Sequence, residues 1–153
     1  MTEQMSVKIA ALPSLRLTVE AHGLMAKKAL GQNFLLDQNI TDKIINLSLQ
    51  KQNKKDFSGA NVFEVGPGPG LPRAVLAAEP KSLTVVEMDE RCIAIMNEIK
   101  EKTGDILHII NGDAMQTDFS VLAPAPRHIV SNLPYNISVP LLVGWLKNIN
   151  AYY

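Results

Sequence analysis

Asn61-Val62-Phe63-Glu64-Val65 runs directly into Gly66-Pro67-Gly68-Pro69-Gly70, and the reading of this junction decides the fold. The first five residues fit a buried strand, and the alternating glycines fit a sharp turn that no β-carbon crowds. A helix from about Leu71 to Glu79 follows, giving strand, glycine turn and helix in order. The rhythm then repeats. Ser82 to Glu87 reads as a second strand, and Asp89 opens a helix through Ile93, Ile95, Met96 and Ile99. Ile106 to Asn111 reads as a third strand, ending at Gly112-Asp113. His128 to Asn132 is the fourth, followed by a helix that Ser138 can cap and that runs to about Lys147. Short apolar runs separated by helical spacers predict an α/β fold with a parallel sheet.

Upstream of the junction the pattern is helical. Pro13 precedes a short helix over Ser14 to Ala21, which Gly23 can end. Lys27 to Leu35 reads as a loop or extended segment with Gly31 at its centre. Asp37 then precedes apolar positions at Ile40, Ile44, Ile45, Leu47 and Leu49, the spacing of a capped amphipathic helix. Polar Gln50 to Asp56 is the best internal boundary, dividing a helical, basic segment, 1–55, from the sheet-forming part, 56–153.

The 153 residues suit about one domain, and a hydrophobic content of 46% suffices for a core. No apolar run approaches the roughly 18 residues that span a bilayer, and no signal-peptide pattern opens the chain, so a soluble, cytoplasmic protein is expected. Cys92 is the only cysteine, which excludes an internal disulfide and a cysteine metal cluster; it reads as a small packed residue on a helix. Fifteen basic residues balance fifteen acidic ones. Their distribution is uneven: residues 1–55 carry eight Lys or Arg against four Asp or Glu, and the remainder seven against eleven. A basic leading segment can supply phosphate contacts, although Lys51, Lys54 and Lys55 equally fit a solvated loop.

Doubly wound sheets bind ligands at the carboxyl ends of their strands, where this sequence places polar groups or glycines each time. Gly66, Gly68 and Gly70 let the main chain approach a ligand, or form a plain Pro-Gly turn. Glu87 lies 21 residues beyond Gly66 at the second strand end, where a carboxylate accepts ribose hydroxyls. Asp113 can accept from an adenine amino group or cap the next turn. At the fourth strand end stands Asn132-Leu133-Pro134-Tyr135. A nucleobase amino group is a weak nucleophile, so its methylation depends on positioning. The Asn132 side-chain carbonyl and the Leu133 main-chain carbonyl can accept its hydrogens, Pro134 restricts Leu133 to extended geometry, and Tyr135 offers a face for an unstacked base. Alone, the tetrapeptide also fits a strand end and turn. A nicotinamide-dependent oxidoreductase is disfavoured, because the glycines are spaced Gly-x-Gly-x-Gly and the tetrapeptide has no part in hydride transfer.

With these residues in place, the chain resembles the ribosomal RNA adenine N6,N6-dimethyltransferases of the small subunit. The resemblance runs from about Leu12 to Ile149 through Leu30-Gly31-Gln32-Asn33-Phe34-Leu35, Glu64 to Gly70, Val86-Glu87, Gly112-Asp113-Ala114 and Asn132 to Tyr135. It implies a Rossmann-like class I S-adenosylmethionine-dependent methyltransferase fold with its first four strands. By position, it assigns Asn33 and Leu35 to the methionine end of the cofactor, with Gly66 beneath it, and counts Gly68 and Asn132 among the cofactor-binding residues. Glu87 is assigned to the ribose and Asp113 to the adenine. Asn132 and Leu133 would orient the amine, Tyr135 would stack on the target base, and Lys27 and Lys28 would meet rRNA phosphates. The implied partner is small-subunit rRNA in a pre-30S particle, met by a monomer without metal or membrane in a bacterial cytoplasm.

Two departures qualify the resemblance. Leu71-Pro72-Arg73 stands where the family usually has a small residue and then Leu-Thr. The family also continues through three further strands and a small helical domain. An apolar surface and an unpaired sheet edge are therefore expected beside the fourth strand, with poor turnover by the 153-residue chain. The competing expectation is a protein that binds cofactor or pre-ribosomal RNA without catalysis.

Overall fold

The computed structural model describes residues 4–24 and 34–152, so Lys27, Lys28, Asn33 and the rest of the Leu30–Asn33 stretch lie outside the described residues. The helices are α1 (Met5–Ala10), α2 (Leu15–Ala21), α3 (Gln38–Lys51), α4 (Leu71–Ala77), α5 (Glu90–Thr103) and α6 (Tyr135–Lys147). The strands are β1 (Asn61–Val65), β2 (Ser82–Glu87), β3 (Leu107–Asn111) and β4 (Arg127–Ile129). Helix starts follow local chemistry: the side chains of Ser14, Asp37 and Asp89 accept the N–H groups of Leu17, Asn39 and Arg91 at α2, α3 and α5. Pro72 sits in the first turn of α4, where a missing N–H costs nothing.

Several boundaries differ from expectation. Helix α1 was not anticipated; it is too short to show a period and is held by tertiary contacts, with Met5 in the core and its N–H bonded to Glu79 Oε1 at 2.9 Å. Helix α4 stops at Ala77 because Glu79 is left-handed at φ 56°. Ile106 belongs to a 3-10 turn that precedes β3. Strand β4 ends at Ile129, and α6 starts at Tyr135 with Pro134 as its N-cap. Ser138 is inside that helix and does not cap it; its hydroxyl donates to the Tyr135 carbonyl at 3.0 Å.

All pairings are parallel, in the order β3-β2-β1-β4. The chain moves outward from β1 through β2 to β3, then returns to the other side of β1, which puts the switch of direction between β1 and β4. Alternation divides the sheet's apolar residues between two faces. Val62, Leu83, Val85 and Leu107 pack with Met5, Ile45, Leu49, Val75, Ile95 and Met96 on one face, joining the N-terminal helices to α4 and α5. Phe63, Val65 and Val86 pack with Phe119 and Leu141 on the other, with Trp145 against them. Cys92 is fully buried on α5, and burial pushes its thiol up to about 12.

Helix α6 covers the second face incompletely. Its outer side leaves Val139, Leu142, Val143 and Leu146 exposed, and β4 is an edge strand, as the sequence led us to expect. No helix among the described residues is long and apolar enough to cross a membrane.

Candidate active site

A cleft opens at the carboxyl ends of β1, β2 and β3, beside the switch between β1 and β4. Its walls include Leu35, Gly66, Gly68, Glu87 and Asn132, five residues expected at a cofactor site and separated by nearly a hundred positions in sequence. Phe34, Val65, Met88, Gly112, Ala114, Pro134, Asn136 and Ile137 complete much of the rest.

The glycine turn is tight in the way the sequence suggested, with Gly66 at φ 57° and Gly68 at φ 60°. Its open side is filled by the protein itself. A β-carbon on Gly66 would lie 2.9 Å from Pro134 Cγ, one on Gly68 would lie 3.2 Å from Phe34 Cδ1, and one on Gly70 would lie 2.6 Å from the Leu35 carbonyl oxygen. The turn thereby seats both the leading Phe34-Leu35 strap and the Asn132–Tyr135 loop.

Glu87 ends β2 with one oxygen committed: Oε1 accepts the N–H groups of Met88 at 3.0 Å and Asp89 at 2.9 Å. Burial raises its carboxyl above the ordinary value, and those two hydrogen bonds oppose the rise. Asp89, which caps α5, also pairs with Arg91 at 2.6 Å, so the turn after β2 is fixed on both sides. Asp113 does not itself line the cleft. Its Oδ1 accepts the Met115 N–H at 2.9 Å, capping a 3-10 turn, while its neighbours Gly112 and Ala114 reach the wall.

Across the cleft, Asn132 and Pro134 line the wall on either side of Leu133, whose side chain packs against the Phe63, Val65 and Phe119 cluster. Tyr135 opens α6 at 68% exposure, a free ring beside the wall. Lys51, Lys54 and Lys55 are remote from this place. Lys51 ends α3, and Lys54 and Lys55 lie between that helix and β1 at the opposite end of the sheet, where Lys54 acts electrostatically on His128 of β4.

Sequence reasoning missed Glu64. It is fully buried, and neither carboxylate oxygen has a hydrogen-bond partner among the described residues. Burial first, and Glu87 second, push its carboxyl well above the usual range. Its place inside an apolar strand, two residues before the turn, was the available signal. Arg73, at the departure from the family pattern, is buried as well: Nη1 donates to the Pro13 carbonyl at 2.6 Å and Nη2 to Thr18 Oγ1 at 3.1 Å, tying α4 to α2. No group of three or more His, Cys, Asp or Glu among the described residues could hold a metal ion.

Comparison with known proteins accords with this geometry. Residues 23–152 match the family model for ribosomal RNA adenine dimethylase. A ribosomal RNA small subunit methyltransferase A from Gluconobacter oxydans is 48% identical over 143 residues, covering 93% of this chain and 45% of that protein. The same-named protein of Allorhizobium ampelinum is 50% identical over 137 residues, covering 88% and 48%. The chain thus spans about half the length of the relatives it matches. Among solved structures, a dimethyladenosine transferase from Plasmodium falciparum superposes with a TM-score of 0.56 at 26% identity, over 75% of this chain and 38% of that one. A Podospora anserina methyltransferase bound to S-adenosylhomocysteine (SAH) shares the fold, with a TM-score of 0.57 at 16% identity over 96% and 65%. A parallel sheet whose glycine turn, Glu87 and Asn132-to-Pro134 segment meet at one cleft is thus matched by sequence across most of the chain, and the chain belongs to the ribosomal RNA adenine dimethylase family.

Proposed function

We propose that this chain carries the cofactor-binding and amine-orienting part of an S-adenosylmethionine-dependent enzyme that dimethylates adenine N6 in small-subunit rRNA. The observation that carries the reading is the convergence of Leu35, Gly66, Gly68, Glu87 and Asn132 on one cleft. The residues present fit the cofactor. Glu87 Oε1 is held by two main-chain N–H groups, which fixes the carboxylate as an acceptor for a ribose, and the apolar Met88 and Ala114 beside it suit the flat face of an adenine. Asp113 would reach that adenine, and Asn33 the methionine end. When bound, the cofactor supplies an electrophilic sulfonium methyl.

The chain's own residues do the positioning. The Asn132 side-chain carbonyl and the Leu133 main-chain carbonyl accept the two amino hydrogens of the base, which turns the nitrogen lone pair out of conjugation and toward the cleft. Tyr135 supports the displaced base from outside, since its ring is exposed where a nucleotide drawn from its stack would arrive. Lys27 and Lys28 would meet backbone phosphates of a pre-30S particle, in the cytoplasm of a bacterium.

Thermal unfolding with and without S-adenosylhomocysteine tests the cofactor site. The ligand is expected to raise the transition of the wild-type chain and to leave Glu87→Ala unmoved; an unmoved wild type would refute the assignment. Methyl transfer to an unmodified small-subunit rRNA fragment, compared with Asn132→Ala, separates catalysis from binding. Loss of transfer with rRNA association retained supports the enzyme; equal transfer by both proteins sinks the role given to Asn132.

A further inference from the structure

The main-chain ladder between β1 and β4 stops one rung short of the end of β1. Asn61 faces Arg127 and Phe63 faces Ile129, with Asn61 N–H bonded to the Pro126 carbonyl at 3.0 Å and Val130 N–H to the Phe63 carbonyl at 3.0 Å. Continuing that register puts Val65 opposite Ser131. A regular parallel ladder would then join Val65 N–H to the Val130 carbonyl and Asn132 N–H to the Val65 carbonyl. Such a rung would hold Asn132 in the sheet. Instead, Val65 N–H donates to Ser131 Oγ at 2.6 Å, and the same hydroxyl reaches the Val65 carbonyl at 3.4 Å. One side chain thus serves both main-chain groups of a residue that is 2% exposed, where an unpaired N–H would be costly.

We propose that Ser131 is a positioning residue for Asn132: its hydroxyl stands in for the last β1–β4 rung, releasing the following main chain from the sheet and directing it across the cleft. The proposal rests on the function proposed above and adds a residue to it. Ser131 fastens the loop on one side of Asn132-Leu133, and the contact between Pro134 and the bare α-carbon of Gly66 fastens it on the other. Asn132 and the Leu133 carbonyl are therefore spanned between two attachments to the same β1 turn. Ser131 itself does not line the cleft. A threonine retains the hydroxyl and its two bonds; an alanine leaves Val65 N–H without its acceptor and the loop without its attachment on that side of Asn132.

The test compares Ser131→Ala and Ser131→Thr with the wild-type chain by amide exchange, NMR of the Asn132 side-chain amide, SAH affinity and methyl transfer. In Ser131→Ala, Val65 N–H is expected to exchange about tenfold faster. The Asn132 amide resonances should shift, the signals of Glu87 and Gly112 should stay, and SAH should bind as before. Where the wild type turns over, kcat should fall about 100-fold with KM for the cofactor unchanged. Ser131→Thr should restore both. An unshifted Asn132 amide in Ser131→Ala would overturn the proposal, as would a uniform loss of stability that moves every signal together. Absence of methyl transfer by the wild type would count against the proposed function, while the NMR comparison still decides the part played by Ser131.

Discussion

Replacing Gly66 by alanine should cost more than its backbone conformation alone explains, and the excess measures how firmly the glycine turn holds the Asn132–Tyr135 loop. At φ 57°, Gly66 occupies the left-handed region, where a β-carbon costs about 1–2 kcal/mol. Gly23 supplies the control, since it has φ 56° and an added β-carbon would meet nothing within 4 Å. At Gly66 the new carbon would stand 2.9 Å from Pro134 Cγ and 3.1 Å from Cδ. Carbon pairs rest at about 3.5–4.0 Å, so the proline must retreat by about half an ångström or more. A pyrrolidine ring has no rotamer to escape into, and the Leu133–Pro134 main chain must move with it. Overpacking of this kind costs about 1–3 kcal/mol, which is the expected excess of Gly66→Ala over Gly23→Ala. Urea unfolding followed by the fluorescence of Trp145, packed on Phe119 in the second cluster, gives both values. Adding Pro134→Ala should recover most of the excess, as a coupled pair requires. Equal costs for the two glycine variants, or no recovery in the double variant, would refute the claim that this contact joins the turns.

Two further perturbations probe other parts of the same assembly. Arg73→Met keeps the buried stem but removes both guanidinium bonds to Pro13 and Thr18, and should cost about 2–4 kcal/mol, with amide exchange rising most in α2; exchange rising evenly over the chain would show that Arg73 does not hold that helix. The Glu64 carboxyl lies above its ordinary value of 4.5 in the folded chain, so folding takes up a proton and stability falls as pH rises from that value through the folded one. Within that window the slope approaches about 1.4 kcal/mol per pH unit. Glu64→Gln should therefore match the wild type near pH 4.5 and exceed it increasingly at higher pH. Taking the difference between the two proteins isolates Glu64 from Glu87, raised in the same sense, and from His128, which burial lowers. A constant difference across pH would contradict the buried, proton-bound carboxyl.

Much of the architecture was legible because its signals were local. Strands β1 and β2 fall on the residues read from the sequence, since each is an apolar run closed by a glycine or an acid, and Ser14, Asp37 and Asp89 cap the helices they were read to precede or open. The same local logic failed at β4 and α6. Ser138 looked like a cap because serine favours that place, yet Pro134 supplies the preset backbone angle four residues earlier, and the Ser138 hydroxyl turns back into the helix. The α1 helix left no local trace that distinguishes it from a loop, and the one local sign of the buried Glu64 carboxyl was an acid placed inside an apolar strand. Their environments come from residues far away in sequence, such as Glu79 for Met5 and Glu87 for Glu64.

The glycines show best how a motif can be read for the right place and an incomplete reason. From sequence, their missing side chains suggested room for a ligand to approach the main chain. In the folded chain, those spaces are taken up by Pro134, Phe34 and the Leu35 carbonyl. A ligand therefore meets a wall assembled from three distant segments, each held to the others by the absence of a β-carbon. This arrangement explains why the motifs occur together: the turn that would lie beneath the cofactor is also the seat on which the Asn132–Tyr135 loop and the leading strap rest. A change at the turn is transmitted to Asn132 through Pro134 on one side and through Val65 and Ser131 on the other. The two tasks proposed for the cleft, holding a methyl donor and presenting a base, would consequently fall to one mechanical unit built on the end of β1.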